Sequence, residues 1–317
     1  MKCLVSGATG FIGRQLCRQL SARGDTLVAL SKSGALLEDG APTRAVDLAV
    51  EDPDAESFSG VDVVIHLAGI AHQEAADSAY EKLNYEATLR LARLARTAGV
   101  GCFIFLSSVK AMGASCAANP RLEDDCCLPV DVYGLSKWRA ECALREEFHE
   151  SEMSVVILRP ALVYGVNAKG NLQRLAAAVR RGLPRPPAMG LRSMIALQDL
   201  VDLICHLALD PPSGVHTWIA CGEQAYSTRA IYDLLREANG QRRGVGWMPL
   251  WAWRSGAWLQ DQLTDHTTER TFDKLFSTEL YSCAAVQAAT GWQPRVALED
   301  VVDTLMGELA SKGKPGS

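Results

Sequence analysis

The stretch Lys2-Cys3-Leu4-Val5-Ser6-Gly7-Ala8-Thr9-Gly10-Phe11-Ile12-Gly13 joins a short apolar run to three glycines spaced Gly-x-x-Gly-x-x-Gly. A helical pattern follows, with Leu16, Cys17 and Leu20 on one face. A strand, a glycine-rich turn and a helix in this order predict a phosphate-binding unit. Glycine lets backbone N–H groups approach a pyrophosphate, and the helix N-terminus attracts negative charge. We therefore expect a bound dinucleotide to contact Gly7, Thr9, Gly10, Phe11, Ile12 and Gly13.

The rest of the chain continues this alternation of strand and helix. Apolar runs suited to buried strands recur at residues 26–30, 44–48, 61–69, 101–106 and 154–158. Their order predicts an α/β fold, a doubly wound parallel sheet of the Rossmann type with right-handed crossovers. We expect residues 1–165 to form this NAD(P)-binding domain, with a late strand near 215–220 rejoining it. Residues 166–310 are then a smaller, mostly helical substrate domain, and 311–317 a disordered tail.

Composition excludes several classes of function. The net charge is −5 and there is no dense run of Lys and Arg, which argues against nucleic acid as a partner. The ten cysteines show neither Cys-x-x-Cys pairs nor metal-ligand spacing, so we expect no metal site and a reduced compartment. No apolar run approaches the length of a membrane span, and the N-terminus lacks a signal-peptide layout. These features predict a cytoplasmic protein.

The end of the second strand bears on the choice of cofactor. An acidic residue there would hold the 2′-hydroxyl of an NAD ribose, whereas this chain has Ser31-Lys32-Ser33. A cation and hydroxyls suit a 2′-phosphate, so NADP(H) is favoured over NAD(H), with Ser31 and Lys32 as contacts. Lys32 could instead be a solvated loop residue. Asp47 and Leu48 end the third strand, where they could approach the adenine.

Tyr133 and Lys137 are four residues apart on a predicted helix and share one face. A cation beside a phenol favours the phenolate, so we expect Lys137 to lower the pKa of Tyr133 and to make it a proton donor or acceptor. Chance often places Tyr and Lys at this spacing on a helix surface. A third polar group is available at the end of the fifth strand, where Ser107 and Ser108 fall at the ligand-binding edge of the sheet.

The chain resembles the extended short-chain dehydrogenase/reductases, and within them the nucleotide-sugar epimerase/dehydratase family. The resemblance covers nearly the whole chain and combines the glycine-rich turn with His66-Leu67-Ala68-Gly69, Asn84 with Thr88, Leu106-Ser107-Ser108-Val109-Lys110, Tyr133 with Lys137, and Leu158-Arg159-Pro160 before Val163-Tyr164-Gly165.

This resemblance implies roles for particular residues. Ser108, Tyr133 and Lys137 would be catalytic, with Ser107 the second choice for the serine, and Asn84 would position the lysine through water. Leu67, Ala68, Gly69, Tyr133 and Lys137 would contact the cofactor. Substrate contacts would come from Ser107, Ser108, Tyr133, Asn171 and Arg192, with Arg192 on the diphosphate. His66 is expected to be structural.

The resemblance also narrows the reaction. Dehydratases of the family have an Asp-Glu pair after the catalytic hydroxyl residue, whereas this chain has Val109 and Lys110, which argues against elimination. The Ser-Ser-Val-Lys sequence and residues 168–171 resemble a branch that acts on UDP-N-acetylhexosamines in polysaccharide synthesis. We favour reduction of a UDP-4-keto-6-deoxy-N-acetylhexosamine over a UDP-sugar 4-epimerase with bound NAD. A non-catalytic NADP-binding regulator is a third hypothesis. The family also implies a homodimer.

Residues 247–258 contain four tryptophans in an otherwise unremarkable composition. Tryptophan favours membrane interfaces, which suggests contact with a membrane or a lipid-linked sugar. Because Arg254 is the one basic residue in the stretch, we favour packing within the small domain or between subunits.

Overall fold

The computed structural model describes residues 1–71, 76–114, 119–166, 171–246, 248–263 and 271–304. The strands are β1 (Lys2–Ser6), β2 (Thr26–Ser31), β3 (Arg44–Ala45), β4 (Val63–His66), β5 (Cys102–Leu106), β6 (Ser154–Pro160), β7 (Leu162–Tyr164), β8 (Arg192–Ala196), β9 (Val215–Ala220) and β10 (Ala225–Tyr226). The helices are α1 (Phe11–Ala22), α2 (Asp77–Tyr80), α3 (Ala87–Thr97), α4 (Val132–Phe148), α5 (Asn171–Arg180), α6 (Leu197–Leu209), α7 (Thr228–Ala238), α8 (Leu250–Leu263), α9 (Thr271–Phe276) and α10 (Ala284–Thr290).

Seven strands form one sheet in the order β3-β2-β1-β4-β5-β6-β9, and every pairing in it is parallel. This confirms the predicted doubly wound fold. The chain runs outward from β1 to β3 and then crosses to β4 on the other side of β1. The strand order therefore reverses between β1 and β4, and ligands of such sheets bind at this point.

Two apolar clusters cover the two faces of the sheet, because successive side chains of a strand point in opposite directions. Cys3 and Val5 of β1 join the cluster beneath α1 and α6, whereas Leu4 joins the cluster beneath α3 and α4. The strands are therefore buried on both sides, which explains their continuous apolar runs.

Several strands are shorter than the sequence predicted. β3 contains only Arg44–Ala45, and β4 ends at His66 rather than at residue 69. After His66 the backbone turns toward β1, where the Leu67 N–H donates to the Ser6 carbonyl at 3.2 Å. The late strand β9 pairs with β6 over Val155–Pro160. The division of the chain into domains at residue 165 stays a prediction.

The part of the chain after β6 also contains a small mixed sheet that we did not predict. β7 and β8 are parallel, and β10 is antiparallel to β8. With two to five residues each, these strands are too short to show a clear alternation in the sequence. Tyr164, Tyr232 and Leu298 belong to a third apolar cluster that packs this sheet against the helices.

Among the residues described, no helix is long and apolar enough to span a bilayer. The predicted tail, residues 311–317, lies outside the described part of the chain.

Candidate active site

The glycine-rich turn is packed so closely that larger residues would collide with backbone. Gly7 has φ +72°, and a Cβ there would lie 2.7 Å from the Ala68 nitrogen. A Cβ on Gly13 would lie 2.2 Å from the Gly7 carbonyl oxygen. α1 begins just after Gly10, which provides no side-chain cap, and its first turn has no acidic residue. No side chain therefore caps the first N–H groups of α1 or neutralises the positive end of its dipole, and this leaves both available to an anion.

The loops after β2 and β3 bring two of the predicted cofactor residues together. Lys32 Nζ lies 2.9 Å from an Asp47 carboxylate oxygen, and this cation holds the pKa of Asp47 below its usual range. Lys32 is 80% exposed, so its head group can rotate toward a ligand. Leu48 is buried, and its carbonyl accepts a hydrogen bond from Arg90 at 2.6 Å.

The Ser31 side chain has a partner within the protein. Ser31 is buried in β2, and its hydroxyl is 2.6 Å from the hydroxyl of Thr43. The hydroxyl therefore stabilises the loop that follows β2, and its contact with a cofactor stays a prediction.

Three successive turns of α4 hold three successive residues at the end of β5. Lys137 Nζ donates to the Leu106 carbonyl at 2.9 Å. One turn later, the Glu141 carboxylate accepts from the Ser107 hydroxyl at 2.5 Å. One turn earlier, the Tyr133 phenol is hydrogen-bonded to the Ser108 side chain. The i, i+4, i+8 spacing on the helix thus fixes the strand end at three points.

The start of α4 fits closely against the turn that follows Ser108. Asp131 caps the helix by accepting from the Gly134 N–H at 2.7 Å. A Cβ on Gly134 would lie 2.6 Å from the Lys110 carbonyl oxygen, so glycine allows the helix to approach this turn. Ser108 in turn accepts from the Lys110 N–H at 3.2 Å. These contacts place the Ser108 and Tyr133 hydroxyls side by side.

The expected lowering of the Tyr133 pKa is not found. Desolvation of the phenol raises the pKa of Tyr133 to about 12, and the Ser108 hydrogen bond only partly offsets this. Desolvation lowers the pKa of Lys137 to about 7, although the negative charge of Glu141 acts in the opposite direction. Lys137 is 4% exposed, and its ammonium faces the Leu106 carbonyl and the Phe105 ring, whose centre is 4.6 Å away. The sequence could not reveal this orientation, because it depends on β5.

Asn84 lies in a π-helical turn, Glu81–Glu86, between α2 and α3. Such turns are uncommon and often mark functional sites. Its side-chain oxygen accepts from the Ile70 N–H at 2.8 Å, and its NH₂ donates to the Ser136 hydroxyl at 3.0 Å. A Cβ on Gly69 would lie 2.9 Å from that oxygen and 3.3 Å from Lys137 Nζ. Asn84 and Lys137 therefore border the same space above Gly69, which agrees with a role for Asn84 beside the lysine.

Ser107 has a different partner from the one we predicted. Its hydroxyl donates to Glu141, which is fully buried and forms a two-pronged ion pair with Arg159, at 2.6 Å and 3.1 Å. Ser107 is thus part of a buried ionic network, and its contact with substrate stays a prediction. Sequence analysis missed the roles of Glu141 and Arg159. The sequence feature that could have revealed them is a Glu one turn after Lys137 together with an Arg at the end of an apolar strand.

Arg192 begins β8 and points toward the segment around α9. Its terminal NH₂ donates to the Asp273 carbonyl at 3.1 Å and to the Ser277 hydroxyl at 2.8 Å. Its Nε is buried and has no hydrogen-bond partner among the described residues. It is therefore an unsatisfied donor on a guanidinium, a group that matches phosphate oxygens. α5 begins at Asn171, but the side chain of Asn171 and residues 167–170 lie outside the described part.

His66 is structural, as expected. Its ring nitrogens lie 2.6 Å from the Ser6 hydroxyl and 3.0 Å from the Thr88 hydroxyl. Burial lowers the pKa of His66 to about 3, so the ring is neutral at physiological pH.

A parallel sheet with a glycine-rich turn at its switch point, and a Ser, Tyr and Lys set beside it, defines an extended short-chain dehydrogenase/reductase. A family model described as the NAD dependent epimerase/dehydratase family matches residues 3–222, and the chain belongs to this family.

Individual relatives agree with this assignment. A UDP-glucose 4-epimerase of Vibrio cholerae is 29% identical over 307 residues, which cover 94% of this chain and 92% of the relative. A 2-alkyl-3-oxoalkanoate reductase of Stenotrophomonas maltophilia is 25% identical over 98% of this chain and 100% of the relative. Among solved structures, MoeE5 in complex with UDP-glucose and NAD has a TM-score of 0.78 at 24% identity, over 98% of this chain and 99% of that one. At this identity the structural likeness establishes the fold alone.

The buried ion pair yields a prediction about stability. Replacing Glu141 by Ala leaves the Arg159 guanidinium buried without its carboxylate, so we expect the free energy of unfolding to fall by about 3–5 kcal/mol. Glu146→Ala, at an exposed position of the same helix, should change it by less than about 0.5 kcal/mol. Urea denaturation measures both variants. Equal losses would show that the ion pair has no special role.

The lowered pKa of Lys137 yields a prediction about pH. Its value is about 7 in the folded chain, against about 10.4 for lysine in water. Between these values the unfolded chain binds more protons, so the free energy of unfolding rises with pH. We expect the wild type to gain stability relative to Lys137→Met, by at most about 1.4 kcal/mol per pH unit above about pH 7. Urea denaturation across this range measures the difference. Lys82→Met, at an exposed lysine, is the control; a Lys137→Met difference that does not vary with pH contradicts the lowered pKa.

Proposed function

We propose that the protein catalyses NAD(P)-dependent hydride transfer at C4 of a UDP-sugar. The observation that carries the proposal is the Ser108–Tyr133 hydroxyl pair beside buried Lys137, at the sheet edge that also holds the glycine-rich turn. A carbonyl or hydroxyl oxygen placed between these hydroxyls can exchange a proton there. When bound, the nicotinamide supplies or accepts the hydride.

Within this site, Tyr133 is the proton-transferring group. With a pKa raised to about 12 it carries its proton at neutral pH, so it can donate to the oxygen of a carbonyl that is being reduced. Ser108 hydrogen-bonds the same oxygen and orients it. Lys137, with a pKa of about 7, can change its charge near neutral pH and would contact the nicotinamide ribose. Asn84 keeps the lysine's surroundings fixed through Ile70 and Ser136.

The proposed substrate is a UDP-sugar, held by Arg192 and Asn171 at its diphosphate and nucleotide. The unpartnered Nε of Arg192 supports the first contact. The Vibrio cholerae relative is a UDP-glucose 4-epimerase, and a relative in Kitasatospora kifunensis is a dTDP-6-deoxy-L-talose 4-dehydrogenase. Both names describe chemistry at C4 of a nucleotide sugar.

We favour net reduction of a UDP-4-keto-6-deoxy-N-acetylhexosamine. Val109 and Lys110 follow Ser108, with Val109 buried and Lys110 Nζ 3.6 Å from a Glu279 oxygen. These residues do not provide the acid and base that elimination of water requires. A protonated Tyr133 suits the reductive direction. A UDP-sugar 4-epimerase is the second candidate, because the Vibrio cholerae relative has that activity in its name.

For the cofactor we propose NADP(H) over NAD(H). Lys32 is exposed and lies beside Asp47 at the end of the sheet where the adenosine would bind, so it can pair with a 2′-phosphate. We also propose that the protein is a homodimer, with the contact between subunits formed by α4 and by the helical segment that includes α3.

One assay distinguishes the two candidate reactions. The wild type is incubated with UDP-N-acetylglucosamine, or with its 4-keto-6-deoxy derivative, together with NADH or NADPH. We expect stoichiometric oxidation of cofactor with the keto sugar. Interconversion of sugars without net cofactor change would instead establish the epimerase.

The role of Tyr133 is tested by Tyr133→Phe, which removes one hydroxyl and keeps the ring. We expect a loss of kcat of at least about 100-fold, because proton transfer typically contributes that much, with nearly unchanged cofactor affinity. Full activity of this variant would show that another group transfers the proton. Absence of both activity and cofactor binding in the wild type would favour a different function.

The cofactor proposal is tested by Lys32→Ala. Loss of a charged hydrogen bond to phosphate should raise KM for NADPH by roughly 10-fold to 100-fold and leave KM for NADH nearly unchanged. Lys82→Ala, at another exposed lysine, serves as the control. Equal effects on both cofactors would contradict a contact between Lys32 and the 2′-phosphate.

A further inference from the structure

The tryptophan-rich helix α8 has two faces of opposite character. Trp253 and Ala257 point inward, where Trp253 packs edge-on against Phe276 with ring centres 5.8 Å apart and Ala257 is 7% exposed. Trp251 is 70% exposed and Trp258 is 62% exposed, and Leu259 beside them is 55% exposed. Packing within the chain thus explains only part of this stretch, and the alternative of a contact between subunits stays a prediction for Trp251 and Trp258.

The exposed residues of α8 form one continuous surface. Trp251 and Trp258 are seven residues apart, two turns of the helix, so they lie one above the other. Arg254 and Ser255 lie between them and are exposed. Asp261, the one acidic residue of the helix, accepts from the Thr271 N–H at 3.0 Å. We call this surface of Trp251, Arg254, Ser255, Trp258 and Leu259 the tryptophan face.

The sequence around the tryptophan face is strongly basic, although the whole chain has a net charge of −5. Residues 171–192 and 228–263 together contain ten arginines, three acidic residues and no lysine. Two of the acids are already paired, Asp233 with Arg185 and Glu237 with Arg243, each at 2.5 Å. Within these segments the arginines therefore outnumber the unpaired acidic residues.

Part of this charge lies close to the tryptophan face. Arg181, at the end of α5, and Gln260 of α8 line the same cavity of about 550 Å³, so the end of α5 borders α8. Arg181 is exposed, and the Arg254 guanidinium lies 5.2 Å from the centre of the Phe272 ring, which holds it at the surface. An apolar, aromatic helix face bordered by arginines is suited to the boundary between lipid head groups and acyl chains.

We propose that the tryptophan face docks on a membrane surface that contains anionic phospholipids. The indole rings insert at the level of the head groups, and Arg181 and Arg254 attract the lipid phosphates. Binding is peripheral and reversible, because only one short face enters the interface. The proposal is independent of the reaction at the active site.

The test is co-flotation of the full chain with vesicles. We expect the protein to float with vesicles of phosphatidylglycerol and phosphatidylcholine, to remain behind with phosphatidylcholine alone, and to dissociate at high salt, which screens the charges. The double variant Trp251→Ala/Trp258→Ala should lower the bound fraction about tenfold or more. Arg181→Gln/Arg254→Gln should weaken binding by about fivefold for each charge.

A matched control removes exposed apolar side chains elsewhere. Val50 and Leu209 are 77% and 61% exposed in the sheet domain, and Val50→Ala/Leu209→Ala should bind as the wild type does. Absence of flotation by the wild type overturns the proposal, and so does full binding by the tryptophan double variant. Self-association of the wild type without flotation, lost in that variant, would assign the face to a protein contact and also overturn it. Circular dichroism shows whether each variant is folded.

Discussion

The contact between α4 and the end of β5 determines the geometry of the candidate site. Lys137 and Glu141 hold the backbone of Leu106 and the hydroxyl of Ser107, and this leaves Ser108 beside Tyr133. Because the helix is rigid, a displacement at one of these points would move the others. The network is buried, so its hydrogen bonds are strong and the loss of one partner leaves another group unsatisfied. Catalytic geometry and fold stability therefore depend on the same side chains.

Close backbone approach is the second constraint, and glycine makes it possible. Gly7 brings the turn after β1 against the turn after β4, Gly13 brings α1 against the turn after β1, and Gly134 brings α4 against the turn after β5. Gly69 leaves room for Asn84 and Lys137. All these glycines lie at the carboxyl edge of the sheet, where a cofactor and a substrate would meet. Their common role is to let backbone and polar side chains reach a ligand without steric obstruction.

Burial and neighbouring charges determine the protonation states of the ionisable groups in the site. Desolvation raises the pKa of Tyr133 and lowers that of Lys137, so at neutral pH the phenol keeps its proton and the ammonium is close to losing its own. Arg159 neutralises Glu141, which keeps a net negative charge from accumulating beneath the site. The protonation states of these groups thus depend more on their surroundings than on their residue type.

Much of the fold could be predicted from the sequence, because apolar periodicity and glycine spacing are local signals. They located the parallel sheet and the phosphate turn, whereas the catalytic set of Ser108, Tyr133 and Lys137 was implied by the family resemblance. Strand ends and the small sheet of β7, β8 and β10 could not be predicted, since short strands depend on their partners. The direction of Lys137, the pairing of Ser107 with Glu141 and the pairing of Ser31 with Thr43 were also decided only by the tertiary structure. In each case the partner is remote in sequence or lies on another element. The tertiary structure also decided that Trp253 is half-buried against Phe276 while Trp251 and Trp258 are exposed.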